Sequence, residues 1–252
     1  MSETQTTLSD IHLSIENKIG LLTINRPEKL NAIRLQTYGD IISALKTAED
    51  SPECSCIIIT GAGGKFTAGN DLTDLVGDRA KKVMDAVQAL FDTVTAMKKP
   101  LIAAVEGVAV GIGTTILLHC DLAVASENTR FRLPFANLGV CPEGGSSALL
   151  PRAAGEKTAN ELLLTGRFFS AEEALKFGLI NKIAEDGNSL SAAMEYAETI
   201  VKQPLPSILA TKSIIRKNQT LDISKVVKNE LKLFLELALS SETQSRIKQF
   251  IG

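Results

Sequence analysis

Two glycine-rich turns, each at the exit of a short apolar run, constrain this chain more than any other feature. The first is Phe66-Thr67-Ala68-Gly69-Asn70-Asp71-Leu72, a few residues after Cys56-Ile57-Ile58-Ile59-Thr60. The second is Val108-Ala109-Val110-Gly111-Ile112-Gly113-Thr114, after Leu101-Ile102-Ala103-Ala104-Val105. Short β-branched runs of this kind read as buried strands of a parallel sheet, and each turn leads into a helical pattern. Glycine at such a point lets backbone N–H groups face outward and lets another molecule approach closely. Two such turns side by side aim two N–H groups at one oxygen. That is an oxyanion hole, suited to acyl-transfer or acyl-thioester chemistry.

The rest of the pattern supports an α/β core. Residues 11–17 and 19–25 alternate around Asn17-Lys18 and read as a hairpin. Residues 35–48 and 80–97 carry apolar side chains at helical spacing. Asp71 is placed to cap a short helix at Leu72. Residues 112–119 are apolar nearly all round and read as one central, buried helix. Residues 121–125 read as a further strand. Strands alternating with helices imply a parallel sheet with crossover helices. After residue 150 the pattern turns helical (159–164, 171–177, 191–202, 207–217, 224–239 and 243–250), with 179–183 the one candidate strand.

Composition narrows the class. A 44% hydrophobic content over 252 residues supports a substantial core. The 27 basic and 29 acidic residues leave a net charge of −2, which points away from nucleic acid as the main partner. Cys54, Cys56, Cys120 and Cys141 have no paired CxxC spacing and the histidines are His12 and His119, so no metal site is expected. The polar start Met1-Ser2-Glu3-Thr4-Gln5 lacks a signal-peptide core, no apolar run is long enough to span a bilayer, and the terminal residues 249–252 are no targeting signal. The expectation is a cytoplasmic protein without membrane partners.

Familiar glycine motifs fail here. The turn Gly61-Ala62-Gly63-Gly64-Lys65-Phe66 has Phe66 where a dinucleotide fingerprint needs glycine. It also places Phe66 and Ile59 where a phosphate loop needs Ser or Thr and glycine. No Gly-x-Ser-x-Gly elbow exists. Several segments together do resemble one family, the crotonase or enoyl-CoA hydratase/isomerase superfamily, along nearly the whole chain. They are Asn25-Arg26-Pro27-Glu28-Lys29-Leu30-Asn31-Ala32, the 66–72 turn, the run from Lys99-Pro100 to Gly113, Cys120-Asp121-Leu122-Ala123 and Phe131-Arg132-Leu133-Pro134.

The resemblance implies a crotonase-like spiral of ββα units with a helical C-terminal region: a core over residues 1–195 and a trimerisation region over 196–252. It implies an acyl-CoA thioester as substrate and no cofactor, since CoA belongs to the substrate. It also implies a homotrimer or a dimer of trimers and a place in fatty acid metabolism and β-oxidation. By position, the oxyanion donors are the backbone N–H groups of Asn70 and Ile112. Each would stabilise a thioester enolate by about 3 kcal/mol, the second aided by the dipole of the helix that it opens. Lys29, Ala68, Asn70, Asp71, Leu72 and Ile112 fall at substrate or CoA positions, and Arg26 and Lys29 are candidates for CoA phosphates. Thr115, Phe135 and Leu138 fall at pocket positions.

Hydratases of this superfamily resemble one another in using two glutamates to split water. The matching positions here are Thr115 and Phe135, so hydration is disfavoured. One carboxylate remains, Glu143 in Cys141-Pro142-Glu143-Gly144-Gly145-Ser146-Ser147, a segment similar to the Pro-Glu-Gly-x-Ser-Ser signature of peroxisomal-type Δ3,Δ2-enoyl-CoA isomerases. There the glutamate is the single acid/base. The expectation is therefore an isomerase with Glu143 as catalytic residue. A weak hydratase, another thioester-enolate enzyme of the superfamily, and a non-catalytic acyl-CoA-binding or scaffold protein stay open as alternatives. His119 reads as a packed core residue, and Ser146 and Ser147 as helix caps rather than nucleophiles.

Overall fold

The structure is a computed structural model that describes residues 4–77, 79–218 and 221–251. Of the residues read for targeting signals, 1–5 and 249–252, residues 1–3 and 252 lie outside the described residues. Strands β1 (Thr4–Thr7), β2 (Ile11–Glu16), β3 (Ile19–Ile24), β4 (Cys56–Gly61), β5 (Leu101–Val105), β6 (Val108–Val110), β7 (Leu122–Ser126), β8 (Arg130–Arg132), β9 (Phe168–Ser170) and β10 (Lys182–Ala184) form two sheets. The larger runs β1-β2-β3-β4-β5-β7-β10 and the smaller β6-β8-β9. The β2–β3 hairpin turns through Asn17 and Lys18, both at positive φ (51° and 67°), as a tight two-residue turn requires. From β3 to β10 the large sheet is parallel, and β4 and β5 are buried almost throughout, which is why they read as unbroken apolar runs.

The two sheets are joined by sharp turns. β5 passes into β6 through Glu106-Gly107, with Gly107 at φ 64°, and β7 passes into β8 through residues 127–129. After β4, Thr67 makes the same step, bridging in parallel to Ala109 of β6. β4, β5 and β7 are thus each followed by a short extended stretch in the second layer and then by a helical turn. This is the ββα spiral.

The helices are α1 (Leu35–Asp50), α2 (Arg79–Ala96), α3 (Ile112–Thr115), α4 (Phe135–Leu138), α5 (Ser146–Ala154), α6 (Glu156–Thr165), α7 (Ala171–Lys176), α8 (Ser189–Val201), α9 (Leu205–Lys217), α10 (Ile223–Ala238) and α11 (Ser241–Ile251). α8 runs through the expected boundary between residues 195 and 196, and its Ala192, Ala193 and Ala197 pack on one face of the large sheet with Ile58, Ile102 and Val124. α10 returns to the main core of the same chain through Val227, Leu231 and Phe234, whereas Leu233 is about half exposed.

Residues 112–119 are not one α-helix. A single α turn, α3, gives way to a 3-10 turn at Ile116–His119. A macrodipole needs aligned peptides over several turns, so its contribution at Ile112 is smaller than expected from the sequence.

Candidate functional site

The two glycine turns lie against each other. Thr67 N–H donates to the Val108 carbonyl and Val110 N–H to the Thr67 carbonyl, both at 3.1 Å. Gly69 has φ 89°, and a Cβ there would lie 2.6 Å from the Val110 oxygen; one on Gly113 would lie 2.6 Å from Thr67 Cγ2. Glycine at both positions is therefore a condition of contact between the turns. The N–H groups of Asn70, directly after Gly69, and of Ile112, directly after Gly111, donate no hydrogen bond among the described residues, although Gly69, Asp71, Gly111, Thr114 and Thr115 all do. The Asn70 side chain is held in turn: the buried Tyr38 hydroxyl donates to its Oδ1.

Beside the turns lies a cavity of about 180 Å³ whose lining includes Ala68, Asn70, Leu72, Phe135, Leu138 and Phe234. Phe135, at the start of α4, is buried.

Glu143 is 1% exposed. Thr115 Oγ1 donates to its Oε1 at 2.7 Å, and its Oε2 has no partner among the described residues. Burial raises its pKa to about 8; the Thr115 bond works the other way, and the charge of Glu230 adds to the rise. Thr115 stands three residues after Ile112 on the same α turn, so one turn carries both an unpaired N–H and the donor that orients the carboxyl. Tyr38, the anchor of Asn70, is pushed well above the usual phenol range by burial first and by the Glu143 charge second. Glu143 therefore lies within electrostatic reach of the first turn as well. A lone, buried carboxyl with one free oxygen can take and return a proton, and two unpaired N–H groups can hold an oxyanion.

The remaining residues from the sequence reading fall into place differently. Asp71 caps the 3-10 turn at Leu72–Leu75, accepting from Thr73 N–H at 3.2 Å. Burial alone would raise its pKa, but bonds from Thr73 and Arg26 hold it below the usual range. Arg26 does not offer its charge to solvent. It is buried, 3.3 Å from Asp71 and 3.9 Å from Asp10. A role on CoA phosphates is corrected accordingly: its guanidinium is committed inside the protein. Lys29 is exposed on the 3-10 turn Pro27–Lys29 and does not line the cavity. Ala68 N–H is bonded to the Leu30 carbonyl at 2.9 Å.

His119 packs against Phe91 at a tilt of 44°, with ring centres 4.8 Å apart, and its Nε2 lies 2.6 Å from the Gly144 carbonyl oxygen. Burial lowers its pKa to about 4, so the ring is neutral and donates that bond as a packing residue. Ser146 and Ser147 do not cap α5 as expected. Ser146 Oγ donates to the Glu143 carbonyl at 2.6 Å, while the N–H groups of Gly145 and Ser147 are taken by Glu230 of α10.

Three residues of the site escaped the sequence reading. Tyr38 and Glu230 had no local signal, because their partners lie 32 and more than 80 positions away. Asn31 had one, an asparagine beside a proline turn. At φ 55° it is fully buried; its Oδ1 accepts from Arg26 N–H at 2.9 Å, and its Nδ2 donates to the carbonyls of Ala62 and Lys65 at 2.9 and 2.6 Å. Its own carbonyl accepts from Thr67 Oγ1 at 2.7 Å. One residue, through its side chain and its own carbonyl, thus staples the strand exit to the first glycine turn.

The fold, two abutting glycine turns and a buried acid define an acyl-thioester enzyme of the crotonase type. A sequence profile of the enoyl-CoA hydratase/isomerase family matches residues 14–251, and the chain belongs to that family. It is 32% identical to the short-chain-enoyl-CoA hydratase of Clostridium acetobutylicum, over 97% of this chain and 95% of that protein. It is 34% identical to enoyl-CoA delta isomerase 2 of Rattus norvegicus, over 96% of this chain and 63% of that protein. The solved structure of Pseudomonas aeruginosa OdaA superposes with a TM-score of 0.90 at 33% identity, covering 97% of this chain and 99% of that one. Among the described residues no helix is long and apolar enough to cross a membrane.

Proposed function

We propose that the protein is a Δ3,Δ2-enoyl-CoA isomerase that works with one glutamate and no cofactor. The observation that carries this reading is the buried Glu143 carboxyl, held through one oxygen by Thr115 and, among the described residues, unpartnered at the other. Ionised Glu143 takes a proton from C2 of a 3-enoyl-CoA. The thioester oxygen, now part of a dienolate, rests on the N–H groups of Asn70 and Ile112. The protonated carboxyl then delivers the proton to C4, leaving the double bond between C2 and C3. One base suffices because C2 and C4 are close on the same acyl chain. Ala68, Asp71 and Leu72 shape the entrance beside the first turn, Phe135 and Leu138 wall the acyl chain, and Lys29 meets CoA from solvent.

Hydration is the second reading, favoured by relatives that carry hydratase names. It requires a group to hold water, and Thr115 is already bonded to Glu143 while Phe135 is apolar. On this proposal the enzyme acts in the cytoplasm in β-oxidation, as a homotrimer or a dimer of trimers. The test is turnover of 3-hexenoyl-CoA, followed as the conjugated thioester and beside 2-hexenoyl-CoA hydration. Wild type should isomerise faster than it hydrates, and Glu143→Gln should lose at least about 100-fold; a loss below tenfold refutes the assignment.

A further inference from the structure

The segment 143–146 is clamped from two sides. A Cβ on Gly144 would lie 2.5 Å from the Phe91 ring of α2, and one on Gly145 would lie 3.3 Å from Ile223 of α10. The clamp on the α10 side is polar at its centre. Glu230, 9% exposed, accepts from Gly145 N–H at 2.6 Å through Oε2 and from Ser147 N–H at 2.9 Å through Oε1, with the Ser147 hydroxyl on that same oxygen. Cys141 Sγ, on the other side of Glu143, donates to the Glu230 carbonyl at 3.5 Å. One residue of α10 therefore touches the chain both before and after the acid. One helical turn further on, Phe234 walls the cavity.

We propose that Glu230 is a positioning residue for Glu143: from α10 it fixes the turn that carries the acid and holds a buried carboxylate next to that turn. The proposal rests on the isomerase reading only for its kinetic part. Burial raises the Glu230 pKa and its three donors work against that rise; the Glu230 charge in turn adds to the rise at Glu143. The other groups around Glu143 do not replace it. Thr115 of α3 favours the ionised acid, Tyr38 of α1 and Cys141 are neutral phenol and thiol, and α2 presents the Phe91 ring. His119, bonded to the Gly144 carbonyl, is neutral. Burial is the larger cause of the raised Glu143 pKa, and among the described residues Glu230 is the charge that adds to it.

Infrared difference spectra against pH, with the Glu143 band assigned by its loss in Glu143→Gln, read the acid directly in the full-length protein. In Glu230→Gln, which removes the charge and keeps the shape, the Glu143 midpoint should fall by about one pH unit, and the acid limb of kcat/KM for 3-hexenoyl-CoA should move with it. Glu230→Asp keeps the charge and shortens the reach. Its midpoint should stay at the wild-type value while plateau kcat falls about tenfold with KM little changed. A folded Glu230→Gln protein with the wild-type midpoint overturns the proposal; if that variant does not fold, full kcat in Glu230→Asp overturns it. A midpoint shift in a protein that never turns over 3-hexenoyl-CoA refutes the isomerase reading and leaves the role of Glu230 standing.

Discussion

Glu143→Gln should stabilise the fold as it abolishes the proposed reaction, and the stabilisation should grow with pH. The carboxyl ionises near 4.5 in the unfolded chain and near 8 in the fold, where burial disfavours its charge. The folded state thus holds the proton longer than the unfolded state. Below pH 4.5 the group is protonated in both and costs nothing. Between 4.5 and 8 stability declines as pH rises, and above 8 the decline is complete. At about 1.4 kcal/mol for each pH unit, the cost of the ionised acid reaches about 5 kcal/mol, a large part of the 5–15 kcal/mol that typically separates folded from unfolded domains. Glutamine has the same shape and no proton to lose. Denaturant unfolding of both proteins between pH 4.5 and 9 measures the difference. The gap should be near zero at pH 4.5, widen steadily and level off near 5 kcal/mol above pH 8. A gap that stays constant across the range refutes the reasoning, because it would mean that Glu143 ionises alike in both states.

Three further outcomes follow from the same contacts. Wild-type kcat/KM should rise with pH to a plateau above about 8, because the base must be ionised; Thr115→Val, which removes the one bond favouring that form, should move the rise to higher pH and lower the rate at pH 7 about tenfold. An unmoved profile counts against the Thr115–Glu143 bond. Gly69→Ala forces a side chain into a left-handed turn and against the Val110 oxygen, so kcat should drop about 100-fold as the Asn70 N–H shifts; a wild-type kcat with normal circular dichroism contradicts the donor assignment. Asn31→Ala leaves the Arg26 N–H and two carbonyls without partners and should cost about 3 kcal/mol in denaturant unfolding, whereas a cost under 1 kcal/mol would show that the staple is dispensable.

What the sequence disclosed was governed by the range of each interaction. β4 and β5 were legible because burial on both faces writes itself as unbroken β-branched runs. The hairpin was legible from alternation around Asn17-Lys18. β6, β8 and β9 have three residues each, too few for a period to show, and they exist because they pair in a second sheet assembled from distant segments. α4 is a single turn and α5 contains Pro151, which reads locally as a break. In the site, Gly69, Gly111 and Glu143 were found through motif position. Arg26 was misjudged because an arginine beside a substrate motif looks available until Asp71 and Asp10 are seen to hold it. Glu230 and Tyr38 act across the fold, and no spacing encodes them.

The same division explains why membership of this family leaves the reaction open. On the proposed reading the oxyanion frame is made of backbone, fixed by glycines whose missing side chains let two turns touch, and such a frame would serve any thioester enolate. The reaction is set by what the enolate meets next. For a double bond to move rather than gain water, a single group must take the proton at C2 and give it up at C4 before solvent intervenes. An ordinary carboxylate with a pKa near 4.5 gives protons up readily but takes them poorly. A strong base does the reverse. A carboxyl brought to about 8 by burial does both near neutral pH. On the proposed reading, the burial that makes Glu143 costly to the fold is thus the property that would suit it to take a proton and return it.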